Sequence, residues 1–137
     1  MSEIERLGLE RHPEGGWFAE TWRSPVDVTL PDGRVRATAT LIHFFLPAGE
    51  SSAWHVVASD ELWIAQSGAV TLELAGAAEQ PASEVERHTC AVDAEPQVLV
   101  PAGVWQRTVP SDADALVSCL VSPGFDFADF RLADERD

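Results

Sequence analysis

Apolar and polar positions alternate in short runs along nearly the whole chain. Residues 17–23 alternate loosely, 35–46 form a long Thr- and Phe-rich run, and shorter runs follow at 52–57, 62–66, 69–74, 85–91, 97–100, 104–109 and 116–121, with Gly, Pro, Asp and Ser between them. A period near two, rich in β-branched and aromatic residues and broken by turn formers, predicts strands. Ser2 and Glu5 have the spacing of a capping box, which predicts a short helix over 2–7 ahead of the turn His12-Pro13-Glu14-Gly15-Gly16. Pro31-Asp32-Gly33 predicts a further turn. About nine short strands without long helical periodicity or an internal repeat make an all-β domain. Sandwich, jelly roll and up-and-down barrel all remain open on this pattern.

Composition narrows the partners more than the fold. With 137 residues, 45% of them hydrophobic, the chain suits a single domain over 1–137 that closes its core without staples. Nine Lys plus Arg against 23 Asp plus Glu give a net charge of −14, which repels nucleic acid and anionic membrane surfaces. The start MSEIERLGLE has no apolar stretch of a secretory leader, and no run approaches a membrane span, so a cytoplasmic location is expected. Cys90 and Cys119 lack the C-x-x-C spacing of a zinc or redox pair and read as buried thiols. The Ala/Glu-rich stretch at 75–83 and the acidic end at 134–137 read as solvated surface.

The chemistry concentrates between Gly49 and Gly68. A strand ending near Val57, a tight turn through Ala58, Ser59 and Asp60, and a return strand from Glu61 would form a hairpin with His55 and Glu61 on one face. An imidazole beside a carboxylate can hold a divalent metal, can move protons with the carboxylate orienting the ring, or can simply satisfy two buried polar groups.

Gly49, His55, Glu61 and Gly68 resemble the first cupin motif, and Pro101-Ala102-Gly103-Val104-Trp105-Gln106 resembles the second. More narrowly the chain resembles the Cupin 5 family, the former domain of unknown function 985. The resemblance runs through LERHPEGGWF from Leu9, Glu20-Thr21 before Arg23, the segment 52–63 with His55 and Asp60-Glu61-Leu62-Trp63, the segment 96–106, and Val121-Ser122-Pro123-Gly124-Phe125-Asp126-Phe127. It implies a cupin-type jelly-roll β-barrel, a homodimer, and an analogy of fold with deoxysugar epimerases that carries little functional weight by itself.

Departures from the general cupin pattern weigh against tight metal binding, because Val57 and Gln106 stand where second and third imidazoles usually fall. A divalent metal (zinc, nickel, iron or manganese) at His55, Glu61 and Gln106 is therefore an alternative with a weak donor set, and the missing imidazole counts against an iron dioxygenase. The leading expectation is a pocket for a small-molecule ligand. It would serve an isomerase, epimerase or lyase acting on a carbonyl-bearing metabolite such as a sugar derivative, with His55 as base and Glu61 orienting it. Gln106 with Arg23 or Arg36 would hold an enolate or an anionic group. Trp63 and Trp105 are candidate flat walls, Gln97 a candidate hydrogen-bonding group, His12 and Glu14 candidate covers of the mouth, and His43 a candidate further imidazole. No Tyr is present, unlike metal-free epimerases of this barrel type. The rival is a non-catalytic ligand-binding module using the same residues for affinity alone.

Overall fold

The capping box forms as read. Ser2 Oγ accepts from Glu5 N (3.1 Å), Glu5 Oε1 accepts from Ser2 N (3.2 Å), and helix α1 (Glu3–Leu7) stops at Gly8, whose φ of 65° suits a residue without a Cβ. The structure, a computed structural model, describes residues 1–133, so the acidic end at 134–137 lies outside the described residues.

The chain then runs through β1 (Glu10–Arg11), β2 (Trp17–Arg23), β3 (Asp27–Thr29), β4 (Val35–Ala37), β5 (Thr40–Leu46), β6 (His55–Val57) and β7 (Asp60–Ser67). It continues through β8 (Ala69–Leu74), β9 (Glu86–Ala91), β10 (Gln97–Val100), β11 (Gln106–Val109), β12 (Ala115–Ser122) and β13 (Phe130–Leu132). A six-stranded sheet in the order β1-β2-β5-β12-β7-β10 faces a five-stranded one in the order β13-β6-β11-β8-β9, and β3 with β4 forms a separate ribbon. Among the described residues the ladders make two packed sheets rather than one closed ring. Phe44, Trp63 and Val117 of the first sheet meet Val70, Leu72 and Leu74 of the second in the main core. On the other side of the larger sheet, Ile4 and Leu7 of α1 cover Phe45, Leu116 and Trp17.

Three expectations about strands change. Residues 35–46 are not one strand: β4 pairs with β3, and at residues 38–39 the chain bends into the sheet, with Thr38 N donating to Val26 O (2.8 Å) and Ser24 N to Ala39 O (3.0 Å). Residues 52–54 stay irregular because Ser52 N donates to the Thr108 hydroxyl (2.7 Å) instead of a neighbouring main chain. The hairpin over 55–61 does not exist. β6 pairs with β11 and β13, whereas β7 pairs with β12 and β10, so residues 58–59 carry the chain from one sheet to the other. His55 and Glu61 are both buried, but they stand on opposite sheets and not along a shared ladder.

The last described segment is a strap across one end of the sandwich. Asp129, on a single turn of 3-10 helix (Phe127–Asp129), binds Arg36 (2.8 and 3.0 Å) and Arg34 (2.7 Å) from the β3–β4 ribbon. The Arg36 hydrogen bonds hold the Asp129 carboxyl below its ordinary value. Asp129→Ala is expected to cost about 2 kcal/mol, read as a lower urea midpoint, because it leaves Arg36 half-desolvated without its anion. That contribution is complete above the unfolded value of 3.8 and fades as pH falls through the lower folded value, so wild type and variant should converge in acid.

Candidate functional site

The 12–16 turn builds the site's first wall. Gly15 N donates to His12 O (2.9 Å) and His12 N to Gly16 O (3.0 Å), which curls the turn over the sheet. Gly16 sits at φ 79°, and a Cβ there would lie 2.5 Å from Phe44 Cζ, so only glycine brings this turn down onto the aromatic floor. The curl buries His12 and Glu14 at 8% and 9% exposure. Glu14 O then accepts from Ala53 N (2.7 Å), and Ala53 O is the partner of His55 Nδ1 (2.8 Å), so one residue ties turn and imidazole together.

This arrangement fixes a proton. The Ala53 carbonyl can only accept, so His55 Nδ1 carries a hydrogen; His55 Nε2 lies 3.2 Å from Glu14 Oε1. Burial holds His55 down to about 4 and lifts Glu14, with further help from the Glu61 charge, well above the carboxylate range. Burial thus favours the uncharged form of both partners, a carboxylic acid that can donate to a neutral imidazole. His12 is held neutral too, at about 4, first by burial and then by His55. Its Nδ1 accepts from Glu14 N (3.1 Å), which leaves the ring hydrogen on Nε2.

The opposite wall comes from β7 and β11. Trp63 Nε1 can only donate, and it donates to Gln106 Oε1 (2.9 Å); the Gln106 amide nitrogen must then face Glu61, donating to Oε1 at 2.8 Å. Burial raises the Glu61 carboxyl, while the donors Gln106 and Cys119 pull it back towards the ionised form. Two buried carboxyls thus stand in different surroundings, Glu14 as a held acid and Glu61 as a braced acceptor.

A cavity of about 300 Å³ opens between these walls beneath the strap. His12, Glu14, Arg23, Glu61 and Trp63 line it, as do Phe18, Thr40, Ile42, Phe44, Cys119, Phe125 and Phe127. His55 and Gln106 stand buried directly behind Glu14 and Glu61. Phe130 stacks on His55 with ring centres 5.7 Å apart. The other sequence candidates lie elsewhere. His43 has the opposite parity to Thr40, Ile42 and Phe44 on β5, and it meets Gln66 on the outer face (3.4 Å). Arg36 is committed to Asp129. Trp105 is fully buried outside the sandwich, donating to Ala78 O (2.8 Å) beneath Arg131. Gln97 is exposed on β10, paired with Ile64.

The cavity residues missed by sequence reading include the phenylalanines, Glu20, Thr40, Ile42, Cys119 and Asp126, whereas Trp63 was among the candidates. Alternation along β5 was the available signal for Ile42 and Phe44. Phe125 and Phe127 lie on irregular chain where no period reports direction.

The expected metal set does not fit its residues. Gln106 Oε1 is taken by the Trp63 indole, its Nε2 is a donor, and His55 Nε2 faces Glu14 rather than Glu61. Among the described residues no group of three or more His, Cys, Asp and Glu side chains is placed to hold a metal ion. Nor is any helix among them long and apolar enough to cross a membrane.

Comparison with known proteins agrees with this architecture. The family whose model matches is Cupin_5, described as Cupin superfamily (DUF985), over residues 2–133. A hypothetical protein from Leishmania major is 30% identical with a TM-score of 0.82, over 93% of this chain and 83% of that one. A protein from Shewanella oneidensis is 33% identical with a TM-score of 0.80, over 94% and 80%. The capsular polysaccharide assembling protein CapF from Staphylococcus aureus shares the fold alone, at 15% identity and a TM-score of 0.69, over 92% of this chain and 31% of that one. No curated protein matches the sequence.

Proposed function

The chain belongs to the Cupin_5 family of the cupin superfamily (DUF985), and from that premise we propose that its cavity binds a small carbonyl-bearing metabolite and moves a proton on it, as an isomerase, epimerase or lyase. The observation that carries this reading is the buried pairing of Glu14 Oε1 with His55 Nε2, 3.2 Å apart, at the wall of a largely apolar cavity. Carboxyls whose surroundings push them apart divide acid from base.

Glu61, braced by Gln106, takes the proton from the carbon beside the carbonyl. The electron pair of that C–H bond moves to the carbonyl oxygen, which accepts a hydrogen bond from His12 and a proton from Glu14. His55 does not reach the substrate in this scheme. It is a positioning residue that holds the Glu14 proton on the proper oxygen and shares the charge when that proton leaves. A proton from water delivered to the opposite face, as Glu14 takes back the enol proton and Glu61 passes its own to water, completes an epimerisation, whereas expulsion of a leaving group at the next carbon, as Glu14 takes back the enol proton and Glu61 protonates the departing group, completes an elimination.

The test needs no known product. In D2O, aldoses, ketoses, aldehydes and amino ketones are incubated with the protein and followed by proton NMR. The expected result is protein-dependent exchange of the hydrogen beside the carbonyl for at least one compound, lost in Glu14→Gln. Compounds that bind the cavity yet exchange no faster than in buffer would make the protein a non-catalytic binding module.

A further inference from the structure

Charge at the cavity wall is one-sided. Glu20, Glu61 and Asp126 reach it, beside a Glu14 that burial favours in its uncharged form, against Arg23 alone. Arg23 is already engaged: its Nε and Nη2 bind Glu20 (3.2 and 2.7 Å), and Nη2 also donates to Phe125 O (3.2 Å). The two imidazoles at this wall, His12 and His55, are kept neutral by burial and supply no positive charge. A phosphate or carboxylate entering here would have to displace Glu20 from Arg23, approach Glu61 without a compensating cation, and do so in a molecule of net charge −14.

The rest of the wall suits the opposite sign. Phe18, Phe44, Trp63, Phe125 and Phe127 surround the space, and aromatic faces attract ammonium and methylated onium groups, which give up hydration more readily than compact ions. Burial disfavours the charge on Glu61 while Gln106 favours it, and a cation seated beside it would favour the ionised form further, with an attraction that water screens poorly at this depth.

We infer that the ligand of this cavity carries a positive charge, as an amine or methylated onium group seated among the aromatic rings, and that phosphorylated and carboxylated metabolites are excluded. This names the substrate class for the site described above and rests on that cavity being the ligand site, not on its being catalytic. The two readings fit together chemically, since a cationic group near the carbonyl stabilises the carbanion that forms as Glu61 removes the proton.

The experiment titrates the full chain with choline, its uncharged carbon isostere 3,3-dimethyl-1-butanol, and inorganic phosphate, following Trp fluorescence and checking by calorimetry. The expected result is that choline binds about tenfold tighter than the isostere and that phosphate does not bind. Glu61→Gln, which keeps an acceptor for Gln106, should reduce the choline preference severalfold while leaving the affinity for 3,3-dimethyl-1-butanol in place; that intact binding also shows that the variant folds. Equal binding of choline and the isostere, preferential binding of phosphate, or no binding of choline up to 50 mM (about the weakest affinity a single cation site of this kind would show) overturns the inference. Deuterium exchange without choline preference would leave catalysis standing and remove the cation site; choline preference without exchange would do the reverse.

Discussion

Glu14→Gln is expected to lower protein-dependent deuterium exchange by 10²-fold or more while leaving the fold intact at neutral pH. The substitution is nearly isosteric, and its amide nitrogen can still donate to His55 Nε2 across the 3.2 Å gap. What it lacks is a proton that can leave. Loss of rate with retained structure would therefore report on chemistry and not on packing. The stability profile gives an independent check. Burial raises the Glu14 carboxyl above its unfolded value of 4.5, so its contribution to stability is complete below 4.5 and is lost as pH rises through the folded value. Glu14→Gln has no such loss, and its urea midpoint should fall less than that of wild type between pH 5 and pH 9. On the acid side the two proteins should behave alike. His12 and His55 are depressed from 6.5 to about 4, so both proteins lose stability as pH falls through that window. A variant that exchanges deuterium at the wild-type rate would remove Glu14 from the reaction.

Gln106→Leu is expected to destabilise the protein by about 3–5 kcal/mol, as a drop in the urea midpoint with unchanged slope. Gln106 is 1% exposed and serves two buried groups, the Trp63 indole N–H and the Glu61 carboxyl, whose other donor is the weaker Cys119 thiol. Leucine fills nearly the same space but strands the Trp63 donor and leaves Glu61 with only the weak Cys119 thiol in a dry interior, each at about 1–3 kcal/mol. The asymmetry supplies its own control. Adding Trp63→Phe removes the stranded donor, so the double variant should recover part of the loss despite a second core substitution. If Gln106→Leu proved neutral, the Trp63–Gln106–Glu61 chain would have no structural weight, and the bracing of Glu61 would go with it.

How far the sequence carried depended on how local each feature was. The capping box, the strand at 17–23 and the strands at 69–74 and 97–100 rest on contiguous patterning, and they form as read. His55 and Glu61 were legible through their motif, and both point inward, but their assumed partnership was not. It presumed pairing between neighbouring strands, whereas the sandwich pairs His55 with Gln106, 51 positions away, and hands the imidazole to Glu14. Nothing local announces a bond between a turn at residue 14 and a strand at residue 55. Arg36 misled for a similar reason: its anion, Asp129, lies 93 positions on. Trp105 was avoidable. Gln106 faces inward, and the period of two then sends its neighbour out.

The position of the strap along the chain sets when the site can exist. His12 and Glu14 precede nearly all the strands in sequence, while Phe127 and Phe130, whose rings pack against His12 and His55, come more than 100 positions later. During synthesis the acid and its imidazole stay open to water until residues 123–133 have been made. Only then does Asp129 meet Arg34 and Arg36 and close the roof. A chain truncated before residue 123 would keep the paired strands of both sheets except β13, yet present Glu14 to solvent, where it would ionise like any surface carboxylate. The closed cavity thus joins residues that precede nearly all the strands to residues that follow nearly all of them, and it forms only when both are in place.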